Sequence, residues 1–244
     1  MILAQMADPQ VGFYDYEPEL QRLRKAIERL NESDCEAVIV CGDMMHIVTR
    51  DSLKIFLKEM EQLKKPVFYV IGNHDVISNP ESLAAYTELI GPRFYAADLP
   101  DPAYRLIALD TFLWMDEPDS AACAEMDQFL LKELADAESA GKKIIIATHS
   151  AVFQDDPDEA EIYFNLPIPR RKWLLDLLKK YQVSALLSGH SHRAFTYTLN
   201  GTLFSSAETT SVAFDGVCHG FRRFVFKDGM IRFNTISVDA DPIA

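Results

Sequence analysis

The stretch Val67-Phe68-Tyr69-Val70-Ile71-Gly72-Asn73-His74-Asp75 joins an apolar run to a glycine and to three side chains that can bind a metal or a phosphate. Short apolar runs rich in β-branched residues are typical of strands that are buried on both faces of a sheet. Ligands of such sheets gather beyond the carboxyl ends of the strands. The stretch therefore predicts a buried strand in an α/β fold, with a binding site at the end of that strand.

Four other apolar runs end in the same way, and their polar ends are Asp8-Pro9-Gln10, Gly42-Asp43, His149 and Gly189-His190-Ser191-His192. Taken singly, Asp8-Pro9 and Gly72-Asn73 are ordinary turn pairs, because Asn, Asp, Gly and Pro dominate turns for local backbone reasons. A lone His149 after a strand is often a hydrogen-bonded residue and not a ligand. Five unrelated turns are unlikely to carry donors at strand ends by coincidence, so we expect the five ends to form one site.

The segments between these runs predict helices, because their apolar residues recur at helical spacing. The predicted helices span 17–31, 52–63, 121–140 and 171–181, with a short helix that begins at 79–81. Residues 94–110 are strand-like, and the predicted late strands are 194–199, 202–205, 222–226 and 231–236. Asn200-Gly201 and Asp228-Gly229 are strong hairpin signals. This order predicts an α/β fold with two packed sheets and helices outside.

Length and charge limit the classes of protein. A chain of 244 residues without a repeat or linker predicts a single domain over 1–244. The 37 acidic and 24 basic residues give a formal charge of -13, which disfavours bulk nucleic acid as a partner. No apolar run approaches the roughly 18 residues of a membrane span. We therefore expect a soluble cytoplasmic protein with no membrane partner, and the sequence does not predict its oligomeric state.

The four cysteines show neither metal-ligand spacing nor a secreted disulfide pattern, and we expect Cys35, Cys41, Cys123 and Cys218 to be reduced thiols.

The donors at the strand ends suit a pair of metal ions. The candidate metal ligands are Asp8, Gln10, Asp43, Asn73, His149, His190 and His192. Mixed Asp, Asn and His donors suit Zn, Mn or Fe. Seven donors are too many for one ion, and they favour two metals that share a bridging carboxylate. Such a pair, about 3.5 to 4 Å apart, clamps the attacking and leaving oxygens of a phosphoryl displacement.

The same succession of motifs, from Asp8 to His192 and through the closing strands, resembles the calcineurin-like metallophosphoesterases. The resemblance implies a four-layer αββα sandwich, in which helices flank two packed mixed β-sheets. It also implies that a water or hydroxide bridging two metals hydrolyses a phosphate ester. The implied roles are Asp8 and His192 at the first metal, Asp43 as the bridge, and Asn73, His149 and His190 at the second metal.

The resemblance also implies an acid. His74 would touch the phosphate and protonate the leaving oxygen, with Asp75 orienting its ring. Imidazole suits this task because it titrates near the working pH, and a carboxylate can fix its tautomer.

The first motif departs from the family pattern, because Gln10 stands where the family usually has histidine. An amide oxygen is a weaker, neutral donor, so the first metal should be more labile, or biased toward Mn, Fe or Mg and away from Zn. Gln10 could instead act through a water or contact the nucleophile. Together with Tyr163-Phe164-Asn165-Leu166-Pro167 and Gly216-Val217-Cys218-His219-Gly220, the Asp-Pro-Gln motif is similar to a subgroup that includes a eukaryotic protein described as a serine/threonine phosphatase.

Two further residues are candidates for substrate binding. His46 follows Asp43 by three residues and could line the phosphate pocket, although a solvated loop histidine explains it equally well. Asn165 lies in a long irregular loop, 151–170, between the strands that end at His149 and His190, and long loops beside a site are usually functional. Tyr163 and Phe164 could be simple packing. His219, in a late turn, is a weaker candidate for the site.

Three functions fit these motifs. A phosphomonoesterase acting on a phosphoprotein, nucleotide or small phosphorylated metabolite is the leading hypothesis. A phosphodiesterase acting on cyclic nucleotides or phospholipid head groups needs the same metals and the same acid, and the motifs do not separate the two. A non-catalytic metal-binding scaffold is the third, but it has no need for His74.

Overall fold

A computed structural model describes residues 1–239, and positions 240–244 of the predicted domain lie outside the described residues. The strands are β1 (Ile2–Met6), β2 (Ala37–Cys41), β3 (Val67–Val70), β4 (Tyr95–Asp98), β5 (Tyr104–Ala108), β6 (Lys143–Ala147), β7 (Ala185–Ser188), β8 (Phe195–Leu199), β9 (Thr202–Ser206), β10 (Gly220–Lys227) and β11 (Met230–Ser237). The helices are α1 (Tyr16–Glu32), α2 (Arg50–Met60), α3 (His74–Ile77), α4 (Ser82–Leu89), α5 (Thr111–Met115), α6 (Ala121–Ser139) and α7 (Ile168–Lys180).

The strands form two mixed sheets. The first has the order β11-β10-β1-β2-β3, and the second has the order β4-β5-β6-β7-β9-β8. The five strands that end at the candidate donors are parallel within their sheets: β1, β2 and β3 in the first, and β6 and β7 in the second. The carboxyl ends of parallel strands lie at one edge of a sheet, so each sheet presents its donors together.

Alternating side chains of the central strands build the layers, since successive strand residues point to opposite faces. In β2, Ile39 faces the core between the sheets, while Val38 and Val40 pack under α1, α2 and α4. In β6, Ile145 faces the same inner core, while Ile146 packs under α6 and α7. Both faces of these strands are buried, which explains their continuous apolar sequence. The predicted four-layer αββα sandwich is confirmed.

Several element boundaries differ from the predictions. α7 begins at Ile168, three residues before the predicted start, because proline is tolerated in the first helical turn. α4 begins at Ser82 and not at Asn79, whose side-chain oxygen instead accepts from the backbone N–H of Glu81 in a preceding turn. The strand-like segment 94–110 splits into β4 and β5 around a turn. The short helices α3 and α5 were not predicted.

Both hairpin predictions are confirmed. Asn200-Gly201 has φ values of 51° and 89° between β8 and β9, and Asp228-Gly229 has 52° and 75° between β10 and β11. Positive φ at both central residues matches the twist of the flanking strands. Within residues 1–239, no helix combines the length and the apolar character that a membrane crossing requires.

Candidate metal centre

The backbone turns sharply at the candidate ligands. Asp8, Gln10, Asp43, His190 and His192 have φ values of 47°, 33°, 54°, 66° and 49°. Non-glycine residues seldom adopt this left-handed region, and the strain persists only where the surrounding structure enforces it. These turns direct polar side chains into the gap beyond the two sheets. Strained backbone of this kind is typical of functional sites.

Three glycines allow the strand ends to approach each other. A Cβ at Gly72 would lie 2.2 Å from Asp43 Oδ1, and a Cβ at Gly189 would lie 2.6 Å from Asp8 Oδ2. At Gly42, which has a φ of +85°, the Cβ would lie 2.3 Å from His149 Nδ1. Each glycine therefore leaves room for a candidate ligand from another strand end.

Four of the predicted ligands meet at one point. Asp43, His149 and His190 each offer a donor atom, and these atoms lie within 4.8 Å of one another. His149 Nε2 is 3.2 Å from Asp43 Oδ2 and 3.0 Å from the Asn73 side-chain oxygen. This cluster contains the predicted bridge and the three residues predicted for the second metal.

The remaining predicted ligands lie on the other side of the same cluster. His192 Nε2 is 3.6 Å from Asp8 Oδ1, and His149 Nδ1 is 3.9 Å from the same oxygen. The Gln10 amide nitrogen lies 3.5 Å from Asp43 Oδ2, whereas its amide oxygen is buried without a hydrogen-bond partner. A buried acceptor with no donor is costly, and a cation would satisfy it.

Four imidazoles at the site each have one nitrogen held by a backbone carbonyl. The pairs are His149 Nδ1 with Cys41 O at 2.8 Å, His190 Nε2 with Tyr163 O at 3.0 Å, His192 Nδ1 with Val212 O at 2.7 Å, and His74 Nδ1 with His46 O at 2.7 Å. A carbonyl only accepts, so each of these nitrogens donates. When the ring is neutral, the other nitrogen then carries the lone pair, which is the tautomer that metal-binding histidines require.

Burial and opposite charges set the ionisation of the cluster. Burial raises the pKa of Asp8. Burial would also raise the pKa of Asp43, but the facing His149 imidazole outweighs it and lowers that pKa. Burial opposes the charging of His149 in turn, yet Asp43 raises the pKa of His149 to about 10, whereas burial lowers the pKa of His190 to about 3. Metal cations can replace the protons of such a buried, charged cluster.

The donor set therefore fits two divalent ions held by oxygen and imidazole nitrogen. The nearby thiol of Cys41 faces Gln5, whose amide nitrogen lies 3.9 Å from the sulfur, and burial raises the pKa of this thiol. A protonated thiol is a poor ligand. All seven predicted metal ligands are brought together in the structure.

His74 lies at this centre, but its predicted orienting partner is wrong. The His46 carbonyl holds its ring, while both oxygens of Asp75 are occupied by backbone N–H groups, those of Gly72 (2.8 Å), Asp43 (2.9 Å) and Met44 (3.1 Å). Asp75 therefore ties two ligand turns together and does not orient the imidazole. The Asp75 side chain points away from the His74 ring although the two residues are adjacent. The reason is that α3 begins at His74, and successive residues of a helix point in different directions.

His46 lies where a substrate-binding residue is expected. Its ring centroid is 4.8 Å from that of His74. Burial lowers the pKa of His46, so its ring is neutral near pH 7. Its predicted role in lining a phosphate pocket stays a prediction.

Asn165 does not face the centre, which makes its predicted substrate contact wrong. Its amide nitrogen donates to Glu159 Oε1 (2.6 Å) and to the Ala160 carbonyl (3.0 Å), and its amide oxygen accepts from the Ile162 N–H (2.9 Å). Asn165 is buried and all three contacts lie within its own loop. The side chain stabilises the loop because it satisfies backbone groups that a strand or helix would otherwise pair.

Tyr163 is the residue of this loop that reaches the centre, and the sequence did not single it out. Its hydroxyl accepts from the Asn73 amide at 3.2 Å, and its carbonyl holds His190. The long irregular loop that contains Asn165 indicated a functional segment. No pattern in the sequence shows which residue of this loop faces the candidate ligands. The ring of His219 pairs with Asp239 at 2.9 Å and makes no contact with the cluster.

Donors of this kind, at the ends of the strands in a two-sheet sandwich, define a metal-dependent phosphoesterase. Residues 1–194 match the family model described as calcineurin-like phosphoesterase, and the chain belongs to that family.

Relatives with curated names fall into two groups. A serine/threonine-protein phosphatase CPPED1 of Rattus norvegicus is 26% identical, over 96% of this chain and 83% of that protein. A probable cyclic nucleotide phosphodiesterase of Vesicomyosocius okutanii is 22% identical, over 87% of each chain. The crystal structure of a dimetal phosphatase from Danio rerio has the same fold, with a TM-score of 0.74 at 18% identity, over 98% of this chain and 96% of that chain.

Proposed function

We propose that the protein is a phosphomonoesterase that uses two metal ions. In this proposal Asp8, Gln10 and His192 hold one ion, Asp43 bridges, and Asn73, His149 and His190 hold the other. The observation that carries the proposal is the buried, unpaired side-chain oxygen of Gln10, whose amide nitrogen lies 3.5 Å from Asp43 Oδ2, next to the cluster in which donor atoms of Asp43, His149 and His190 lie within 4.8 Å of one another.

The bound metals would supply charge neutralisation of the phosphate and an activated water. Oxygen-rich donors at the Gln10 side favour Mn or Fe there, and the set around His149, with two imidazole nitrogens and two side-chain oxygens, accepts Zn, Mn or Fe. Asp75 fixes the turns that carry Asp43 and Gly72, so it sets the spacing of the ligands.

His74 would act as the acid for the leaving group. The His46 carbonyl fixes Nδ1 as a donor, which leaves Nε2 to contact the substrate, and the adjacent neutral His46 ring adds no competing charge. In its doubly protonated form His74 would donate from Nε2 to the ester oxygen as that oxygen leaves. The backbone N–H of His74 also donates to Asp43 Oδ1 at 2.9 Å, which couples the acid to the bridge.

A phosphodiesterase is the second candidate, because one group of relatives carries that name. The test is to compare the rates on nitrophenyl phosphate and bis-nitrophenyl phosphate after loading with Mn²⁺ or Zn²⁺. We expect the monoester to be the better substrate. A faster diester would overturn the phosphomonoesterase, and metal binding below one ion per chain without turnover of either ester would establish the scaffold instead.

A cytoplasmic location is also part of the proposal. All four cysteines are unpaired, and three of them are buried. Free thiols of this kind suit a reducing compartment. Fractionation of cells with an antibody to the protein would test the location.

A further inference from the structure

A row of aromatic rings borders the candidate metal centre. We call it the aromatic arc, and its members in order of contact are Tyr14, Phe13, Phe214, Phe164 and Tyr163. Successive ring centroids lie 5.6, 6.1, 6.5 and 5.2 Å apart, so the row is continuous. Three separate segments supply the rings: the turn after β1, the loop before α7, and the connection between β9 and β10.

The inner side of the arc touches the imidazoles of the centre. Phe214 stacks on His192 with 4.6 Å between centroids and 15° between planes. Tyr163 lies 4.7 Å from His190, and Phe13 lies 4.9 Å from His46. The aromatic rings therefore border the imidazoles that would hold the metals and contact a phosphate.

The outer side of the arc faces solvent. Tyr14 is 82% exposed, Tyr163 is 63% exposed and Phe214 is 50% exposed. Clustered exposed aromatics are unfavourable in water and mark binding surfaces. The aromatic arc continues directly into the metal centre. The group that binds to the arc is therefore the part of the substrate that is attached to the phosphate.

The charge of the arc narrows the class of substrate. All five members are uncharged at neutral pH, and the neighbouring exposed residues Asp15 and Asp215 are acidic. Flat apolar groups gain both burial and offset stacking on such faces.

Resting on the proposed phosphoesterase function, we propose that the aromatic arc selects phosphate esters whose alcohol carries a planar ring close to the ester oxygen. Two sources share this chemistry: an aryl ester such as phosphotyrosine, and a nucleoside monophosphate. The arc binds the ring, and the metals and His74 act on the phosphate.

The test uses 2-phenylethyl phosphate, 2-cyclohexylethyl phosphate and ethyl phosphate, whose leaving alcohols are of similar acidity. We expect kcat/KM to be about tenfold higher for the phenyl ester than for the cyclohexyl ester, from ring stacking at two or more positions. In Tyr14→Leu and Phe214→Leu this ratio should fall toward one. Phe233→Leu, at an aromatic residue that is 44% exposed on β11, is the matched control and should keep the wild-type ratio.

Binding provides a readout that does not need turnover. Calorimetry with 2-phenylethylphosphonate and 2-cyclohexylethylphosphonate on the Mn²⁺-loaded protein should show the same tenfold preference for the planar ring. Equal binding of the two phosphonates, or a ratio unchanged in both variants, would overturn the aromatic arc. If the phosphonates show the preference but no ester is hydrolysed, the arc stands and the phosphoesterase function fails.

Phosphotyrosine and adenosine monophosphate identify the source of the ring. The fall in kcat/KM caused by Tyr14→Leu and Phe214→Leu is measured on each compound, because this comparison cancels the different acidities of the two leaving groups. A larger fall on phosphotyrosine assigns the arc to aryl esters, and a larger fall on adenosine monophosphate assigns it to nucleotides. No fall on either compound would overturn the proposal.

Discussion

Replacing Gly72 by alanine should remove metal binding while the fold remains. The added Cβ would lie 2.2 Å from Asp43 Oδ1 and 2.5 Å from the Asp43 backbone nitrogen. Ordinary contact begins at 3.4 Å, so one group must move by about 1 Å, whereas metal ligands tolerate only about 0.2 Å. The Asp43 backbone cannot yield freely, because its N–H donates to Asp75 at 2.9 Å.

We expect metal affinity in Gly72→Ala to fall at least about 100-fold, which is about 2.7 kcal/mol, since disturbed support of a ligand alone costs 10- to 100-fold. Titration with Mn²⁺ by calorimetry, together with metal analysis, would measure the loss. Circular dichroism and thermal unfolding in chelator would show that the chain still folds. Activity on nitrophenyl phosphate should fall with the metal content.

Gly141→Ala is the matched control. A Cβ at Gly141 would have no neighbour within 4 Å, but its φ of +65° makes alanine strained by roughly 1 to 2 kcal/mol. This variant should therefore lose stability and keep its metals, the reverse of the pattern in Gly72→Ala. If Gly72→Ala bound two ions with wild-type affinity, Asp43 would not be a metal ligand, and the reasoning from this contact would be refuted.

Three other substitutions test single residues. His74→Asn should lower kcat about 10²- to 10⁴-fold on ethyl phosphate with unchanged metal content. The loss should be smaller on nitrophenyl phosphate, because its leaving group needs no proton. Equal losses on the two esters would argue against His74 as the acid. Gln10→His should bind Zn²⁺ at least about tenfold more tightly in chelator competition, and an unchanged affinity would mean that Gln10 does not coordinate. Asn165→Ala should lower the free energy of unfolding by about 3 kcal/mol, from three lost hydrogen bonds and their buried partners, and should expose the loop to limited proteolysis. A raised KM with unchanged stability would return Asn165 to the substrate.

The sequence was sufficient for the buried parallel strands and for the meeting of the polar side chains at their ends. Buried parallel strands read as apolar runs, and both faces of β2 and β6 are covered. Because ligands of such sheets collect at the carboxyl ends, the positions of Asp8, Asp43 and His149 in the chain already implied their meeting. Element boundaries were less certain, since α7 and α4 depend on how the prolines near their starts are accommodated.

The partners of side chains in the turns and loops could not be predicted. Asp75 follows His74 directly, yet it binds three backbone N–H groups because a short helix turns it away from the imidazole. Asn165 is a buried amide within its loop, and its side chain pairs with the loop's own backbone. Its neighbour Tyr163, which the sequence left as packing, holds His190 through its carbonyl.

The sequence by itself determined the fold class, the family and the set of candidate metal ligands, because these follow from apolar runs and the residues that end them. Only the tertiary structure decided which atoms of those residues remain available to bind a metal. Four imidazoles at the centre each have one nitrogen bound to a carbonyl from a distant or looped segment, such as Cys41 for His149 and Val212 for His192. The aromatic arc likewise assembles from three segments far apart in sequence, whose proximity depends on the packing of the two sheets.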